Sequence, residues 1–308
     1  MKVMVTGGAG FIGSHLVDAL IQRGHQVVVV DNLSTGCSEN INPAARFYQA
    51  NICSPELEKI FDKERPELVN HQAAQTVIQK SMEAPVFDAE QNILGSLNLI
   101  LHCLRFGVKK IVYASSGGAV YGEPEYRPVG EDYPVNPISH YGISKHTVEH
   151  YLYLSHREHG LHYVVLRYSN VYGPRQNPKG EAGVVAIFAS RMLWGERPTI
   201  FGKGDKTRDY VYVSDVVTAN LLALEGDKNG VYNIGTGIET SDRQMFDLLA
   251  DLTGYQESPH YAPVRKGEIY KICLDCSKAR KELGWKPRFS LRQGLKETVS
   301  YYRSLFGK

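Results

Sequence analysis

A doubly wound α/β fold built on a parallel sheet is predicted for this chain, with a smaller C-terminal region folded over one edge. Three observations predict it. Short apolar runs alternate with amphipathic helical stretches from residue 2 to residue 168. The first of these units carries a glycine-rich turn. After Asn170 the alternation gives way to a polar, breaker-rich loop, Gly173-Pro174-Arg175-Gln176-Asn177-Pro178-Lys179-Gly180.

The first unit sets the rest. Lys2–Thr6 is a short apolar run, followed by Gly7-Gly8-Ala9-Gly10-Phe11-Ile12-Gly13. Residues 14–23 place Leu16, Ala19 and Leu20 at helical spacing, and the run 27–30 ends on Asp31. Strand, glycine turn, helix, strand and acid form the dinucleotide fingerprint. The turn must be tight and bare enough to touch a pyrophosphate, with a helix N-terminus aimed at it. Asp31 can accept hydrogen bonds from a ribose 2′-OH and would repel a 2′-phosphate. No Lys or Arg follows until Arg46, so NAD is expected rather than NADP.

The alternation continues in order. Strands are predicted at Arg46–Gln49, 67–71, 110–114 and 163–168, and helices at 55–64, 85–106 and 139–159. Repeated units of this kind imply parallel strands joined by right-handed crossovers. Beyond the loop, helices are expected at 183–193, 216–224, 241–252, 277–283 and 291–305. Strands are expected at 198–201, 209–213, 231–234 and 270–274. The domain division is therefore 1–170, with a return segment near 211–238, and 171–308 for most of a second domain. Open α/β sheets present ligands at the carboxyl ends of their strands, so the second domain should close a cleft there.

Composition narrows the function. The chain has 308 residues, 43% of them hydrophobic, enough for a large core. A net charge of +2 with mixed signs suggests neither nucleic acid nor a membrane surface as partner. No apolar run is long enough to span a bilayer and no signal peptide is seen, so a cytoplasmic protein is expected. Five cysteines argue against a disulfide framework. Cys273-x-x-Cys276 lacks a second pair or nearby His, and His146 and His150 lack an HExxH, so no metal is expected.

A second focus is Ser115-Ser116-Gly117-Gly118-Ala119-Val120-Tyr121-Gly122, then Tyr141-x-x-x-Lys145. Tyr141 and Lys145 are i and i+4, so they share a helix face. That spacing is common in a chain with 19 Tyr; the context gives it meaning. A hydroxyl at a strand end, followed by Tyr and Lys on the next helix, suits proton transfer beside a nicotinamide. An ammonium and the positive ring would favour a Tyr141 phenolate. Ser116 is favoured over Ser115 as the working hydroxyl.

The motifs together resemble the extended short-chain dehydrogenase/reductase family, nearest to its UDP-glucose 4-epimerases, whose fold is Rossmann-like. They are TGGAGFIGSH (6–15), DNLSTG (31–36), HQAAQ (71–75), SSGGAVYGEP (115–124), YGISK (141–145), LRYSNVYGPRQ (166–176), GEAGVVAIF (180–188), TRDYVYVSDV (207–216) and NIGTG (233–237). The resemblance implies Ser116, Tyr141 and Lys145 as catalytic residues. It implies that Gly7, Gly10, Phe11, Ile12 and Gly13 face the NAD pyrophosphate and that Asp31 and Asn32 face the adenosine ribose. Asn51, Ile52, Ala73, Ala74, Gln75, Asn92 and Tyr168 would complete the cofactor site with Tyr141 and Lys145. Asn170, Val184, Val185, Arg208, Arg265 and Glu268 would join Ser116 and Tyr141 around a UDP-sugar, with Ile272 at its sugar end. A homodimer paired through helices 85–106 and 139–159 is implied as well.

The expected reaction is 4-epimerisation of a UDP-hexose through a 4-keto sugar. Asn51 departs from the family's usual Asp near adenine, and Gln72, Gly117 and Ser169 also depart from its pattern. UDP-glucuronate and UDP-N-acetylglucosamine are the rival substrates, with Arg175 the candidate partner for a carboxylate. Dehydratases and decarboxylases carry acids where Gly117 and Gly118 stand. A non-catalytic NAD-binding regulator would not need Ser116, Tyr141 and Lys145.

Overall fold

The computed structural model describes residues 1–178, 183–265 and 268–307. The end of the breaker-rich loop (179–180) and the start of the 180–188 motif lie outside the described residues. The strands are β1 (Lys2–Thr6), β2 (Gln26–Asp31), β3 (Arg46–Gln49), β4 (Leu68–His71), β5 (Lys110–Ser116) and β6 (His162–Tyr168). They continue as β7 (Asn170–Tyr172), β8 (Thr199–Phe201), β9 (Thr207–Tyr212), β10 (Gly230–Ile234), β11 (Glu239–Ser241) and β12 (His260–Ala262). The helices begin with α1 (Phe11–Gln22), α2 (Glu56–Glu64), α3 (Ile78–Glu83), α4 (Pro85–Ala89), α5 (Gly95–Arg105), α6 (Gly117–Val120) and α7 (His140–His159). They end with α8 (Val184–Trp194), α9 (Val213–Glu225), α10 (Asp242–Thr253), α11 (Ser277–Leu283) and α12 (Leu291–Phe306).

Seven strands form one parallel sheet in the order β10-β6-β5-β4-β1-β2-β3. Its inner strands are buried on both faces, so alternate residues feed two cores, while the edge strand β3 is partly exposed. Val3, Val5, Val27 and Val29 pack with Leu16 and Leu20 of α1 and Val216 of α9. Met4, Val28 and Val30 pack with Phe61 of α2, Leu99 of α5 and Leu152 of α7. A third core joins α8, α10 and α12 through Phe188, Phe246, Leu295 and Tyr302. Ser241 and Ser290 start α10 and α12 with capping boxes, each contributing about 1 kcal/mol. Small sheets β11-β9-β7 and β12-β8 lie in this later part of the chain.

The structure differs from expectation at three places. The helix expected over 85–106 is broken: α4 runs into a π-helical turn, Glu90–Leu94, before α5. Residues 270–274 make only isolated bridges, Thr207 to Lys271 and Val129 to Leu274, rather than a strand. Ser115 and Ser116 lie within β5 rather than beyond it. Among the described residues no helix is long and apolar enough to cross a membrane.

Candidate active site

The site forms along the carboxyl edge of the sheet. β1 runs into Gly7, whose φ of +70° a side chain would resist. A Cβ there would lie 2.6 Å from the Ala73 nitrogen. At Gly13 a Cβ would lie 2.1 Å from the Gly7 carbonyl oxygen, so α1 abuts the turn directly. Gly10 begins α1 without a side-chain cap. The first-turn N–H groups, at Phe11, Ile12 and Gly13, therefore have no intrahelical or capping partner. Asp31, at the end of β2, accepts from Ala9 N (3.0 Å) and Leu33 N (2.8 Å). Beside it Asn32 accepts from Ser34 N at 3.0 Å. A bare turn, open amides and an anchored acid fit a dinucleotide.

The 73–75 loop crosses this edge. Asn92 lies in the π turn, buried, and takes the Gln75 N–H on Oδ1 (2.8 Å). It donates to Gln75 O (2.9 Å) and to Asp88 Oδ1 (3.0 Å). Asn92 thus holds the loop bearing Ala73, Ala74 and Gln75. Asn51 donates to Gln91 Oε1 (3.2 Å). Ile52 is buried against Gly95, and its carbonyl accepts from Asn98 at 2.7 Å. Tyr168 ends β6. It is buried in the core, its hydroxyl bonding Gln72 (3.1 Å) and Asn220, so it supports the loop from below. A strand residue faces whichever layer covers it, and here that layer is α9.

The two serines separate clearly. Ser115 is buried and donates to Glu149 Oε1 at 2.6 Å, inside a buried Glu149–Arg167 ion pair. Ser116 lines the cavity together with Tyr141, and its hydroxyl favours the ionised Tyr141 phenol. Lys145 is buried on the same helix face and donates to Ala114 O at 2.8 Å. Its nitrogen stands 4.9 Å from the Tyr113 ring centre and 5.8 Å from that of Tyr141.

The lowered phenol expected for Tyr141 is not what the protein alone provides. Burial pushes it up to about 12, Ser116 opposes that, and Asp88 adds to it. Burial brings Lys145 down to about 8, against the attraction of Asp88 and Glu149. The ammonium is committed to a carbonyl and to ring faces, so desolvation dominates at Tyr141.

Ser116, Tyr141, Asn170, Val184, Arg208, Arg265 and Glu268 line one cavity of about 670 Å³. Arg208 is aimed by Thr207 O (2.8 Å) and Tyr270 O (3.2 Å), and Arg265 lies 3.8 Å over the Phe201 ring. Val185 is a correction: it is buried in the third core and does not line the cavity, while Val184, Ile187 and Arg191 do. One residue along a helix is a turn of about 100°. Ile272 is likewise buried in core rather than in the cavity wall. Sequence reasoning missed Lys206, buried in the wall and bound to Glu268 (2.5 Å) and Asp242 (3.6 Å). Its only signal was a charged run that reads as a solvated loop. His146 and His150 bond each other at 3.0 Å, and no metal-binding cluster occurs among the described residues.

Comparisons with known proteins show the family and the fold. Residues 3–235 match the NAD dependent epimerase/dehydratase family. The chain is 42% identical to the UDP-glucose 4-epimerase of Mycolicibacterium smegmatis, over 99% of each chain. It is similar to the structure of UDP-glucose 4-epimerase with UDP-glucose from Thermotoga maritima (54% identity, 99% and 100% covered, TM-score 0.98). It is also similar to the Thermus thermophilus UDP-glucose 4-epimerase complex with NAD (45% identity, 98% and 99% covered, TM-score 0.94). On sequence, fold and the arrangement of this edge, the chain belongs to the NAD dependent epimerase/dehydratase family.

Proposed function

We propose that this enzyme is an NAD-dependent 4-epimerase of UDP-hexoses that interconverts UDP-glucose and UDP-galactose. One observation carries the reading. A single cavity joins the Ser116–Tyr141 pair to Arg208 and Arg265, a proton-transfer group and a diphosphate clamp in one space. Residues 1–170 with the 211–238 return form the cofactor half, and most of 171–308 forms the UDP-sugar half. The amides of Phe11–Gly13 hold the pyrophosphate, Asp31 the ribose, and Lys145 the nicotinamide ribose. When bound, NAD supplies reversible hydride acceptance at C4 of the sugar. Ser116 bonds the 4-hydroxyl and relays its proton to Tyr141. Arg208 and Arg265 hold the diphosphate while the sugar presents its other face.

A neutral hexose suits this cavity. Gly118 stands beside Ser116, and Thr76, Ile78, Ala119 and Ser139 also line the cavity, none of them charged. Arg175, the candidate partner for a glucuronate carboxylate, is bound instead to Asp18 of α1 at 2.8 Å. An unpaired buried carboxylate is costly. UDP-glucose is expected to exceed UDP-glucuronate in kcat/KM by at least about tenfold, or about 1.4 kcal/mol. Product NMR and initial rates with UDP-glucose, UDP-N-acetylglucosamine and UDP-glucuronate test this. A tenfold lead for glucuronate refutes the neutral-sugar assignment, and no UDP-galactose from UDP-glucose refutes the reaction.

We also propose a cytoplasmic homodimer. All five cysteines are free, as expected in a reducing compartment. Leu94 and Leu101, at and beyond the π turn, and Ile143, Tyr153 and Leu154 on the neighbouring α7 are exposed apolar side chains. Pairing across a two-fold axis would cover them in a four-helix bundle. Light scattering is expected to give twice the chain mass at micromolar concentration, and Leu101→Glu with Leu154→Glu should give a monomer.

A further inference from the structure

We propose that Asp88 is a positioning residue whose buried charge ties the cofactor loop to the catalytic helix and sets the working pH of Tyr141 and Lys145. This rests on the epimerase reading above.

The side chain sits in α4 and is fully buried. Its Oδ2 accepts from the Ser144 hydroxyl of α7 at 2.7 Å. Its Oδ1 accepts from Gln75 Nε2 at 2.8 Å and from Asn92 Nδ2 at 3.0 Å. Three donors and no acceptor surround it, the environment of an ionised carboxylate. The loop that crosses the cofactor edge, the π turn and the helix carrying Tyr141 and Lys145 therefore meet on one group. Asn92, in the π turn, bonds both Asp88 and Gln75. A buried carboxylate without such donors would be strongly destabilising.

The charge matters as well as the bonds. Burial works against the Lys145 ammonium, and Asp88 is the first charge opposing it, ahead of Glu149. The same negative charge resists ionisation of Tyr141. The other ionisable groups facing this cluster are accounted for. Glu149 is paired with Arg167. The Tyr113 phenol of β5 is driven up by burial, and His71 of β4 is held neutral by burial, its pKa lowered to about 3. Removing the Asp88 charge thus lowers both Tyr141 and Lys145. Activity that requires phenolate and ammonium together should keep its bell shape and slide to lower pH on both limbs.

Asp88→Asn is nearly isosteric, and its oxygen can still accept from Gln75 and Asn92. Two readouts test it. In the kcat/KM profile for UDP-glucose, both limbs are expected to move to lower pH by about one unit. In ultraviolet titration of tyrosinate, with Tyr141→Phe subtracted in the same background, the Tyr141 midpoint should move in the same direction. Asp88→Glu keeps the charge and should keep the wild-type midpoint. If Asp88→Asn does not fold, Asp88→Ser carries the same test. Limbs and midpoint left in place, with only kcat reduced, overturn the proposal, as does Asp88→Glu shifting them as far as Asp88→Asn. Wild-type protein that fails to convert UDP-glucose overturns the epimerase reading instead, and the tyrosinate titration still decides the role of Asp88.

Discussion

Tyr141→Phe is expected to lower kcat by about a thousandfold, within the range of about 10²–10⁴ for general acid–base groups, while NAD and UDP remain bound. The substitution removes one hydroxyl and leaves the ring beside Lys145. Ser116 loses its partner for relaying a proton but keeps its place at the end of β5. The pyrophosphate turn and the Arg208–Arg265 end lie on other elements, so binding should survive. In the protein alone, burial holds the phenol up at about 12, far above the pH at which a phenolate is useful. A nicotinamide cation is the remaining group able to bring it down. The acid limb of kcat should therefore report Tyr141 in the NAD-bound enzyme and vanish in the variant. Nucleotide released on denaturation measures NAD retention, and calorimetry with UDP measures the rest. A variant that turns over like the wild type ends the assignment of Tyr141 as base.

The parts of the site that could be read from the chain are those set by local geometry. The Gly7–Gly13 turn follows from strand period, glycine spacing and a helix start. Tyr141 and Lys145 share a face because four residues make just over one helical turn. What could not be read depends on partners far away in sequence. Lys206 looks solvated until Glu268, 62 positions on, closes over it. Tyr168 and Ser116 are register partners on neighbouring strands, yet only Ser116 lines the cavity. The Asp88 cluster joins polar groups across α4, α7 and the 73–75 loop, which no hydrophobic period encodes. Val185 shows the reverse failure: the reading puts both Val184 and Val185 at the cavity, and only Val184 lines it. Burial, which sets the Tyr141 and Lys145 shifts, is a property of the finished packing.

Gly13→Ala is expected to strip the cofactor and destabilise the fold together. Helix propensity alone points the other way, because alanine inside a helix is favoured over glycine by about 1 kcal/mol. Gly13 lies in the first turn of α1, so that gain is available in principle. Against it, the added Cβ would fall 2.1 Å from the Gly7 carbonyl oxygen and 3.0 Å from Gly8 Cα. Both are backbone atoms, with no flexible side chain to swing away. Overpacking in a tight site costs about 1–3 kcal/mol, and here relief requires α1 to move off the turn. That movement carries the open amides of Phe11–Gly13 away from the pyrophosphate position. The purified variant should hold little or no NAD and should melt several degrees lower, at roughly 2–4 °C per kcal/mol for a large domain. Gly10→Ala is the internal comparison. Its Cβ would meet only the Gly7 carbonyl oxygen, at 3.2 Å, so its loss of NAD and of melting temperature should both be smaller. Full NAD content with an unchanged melting temperature in Gly13→Ala would mean that the turn and the helix do not touch as closely as their backbones indicate.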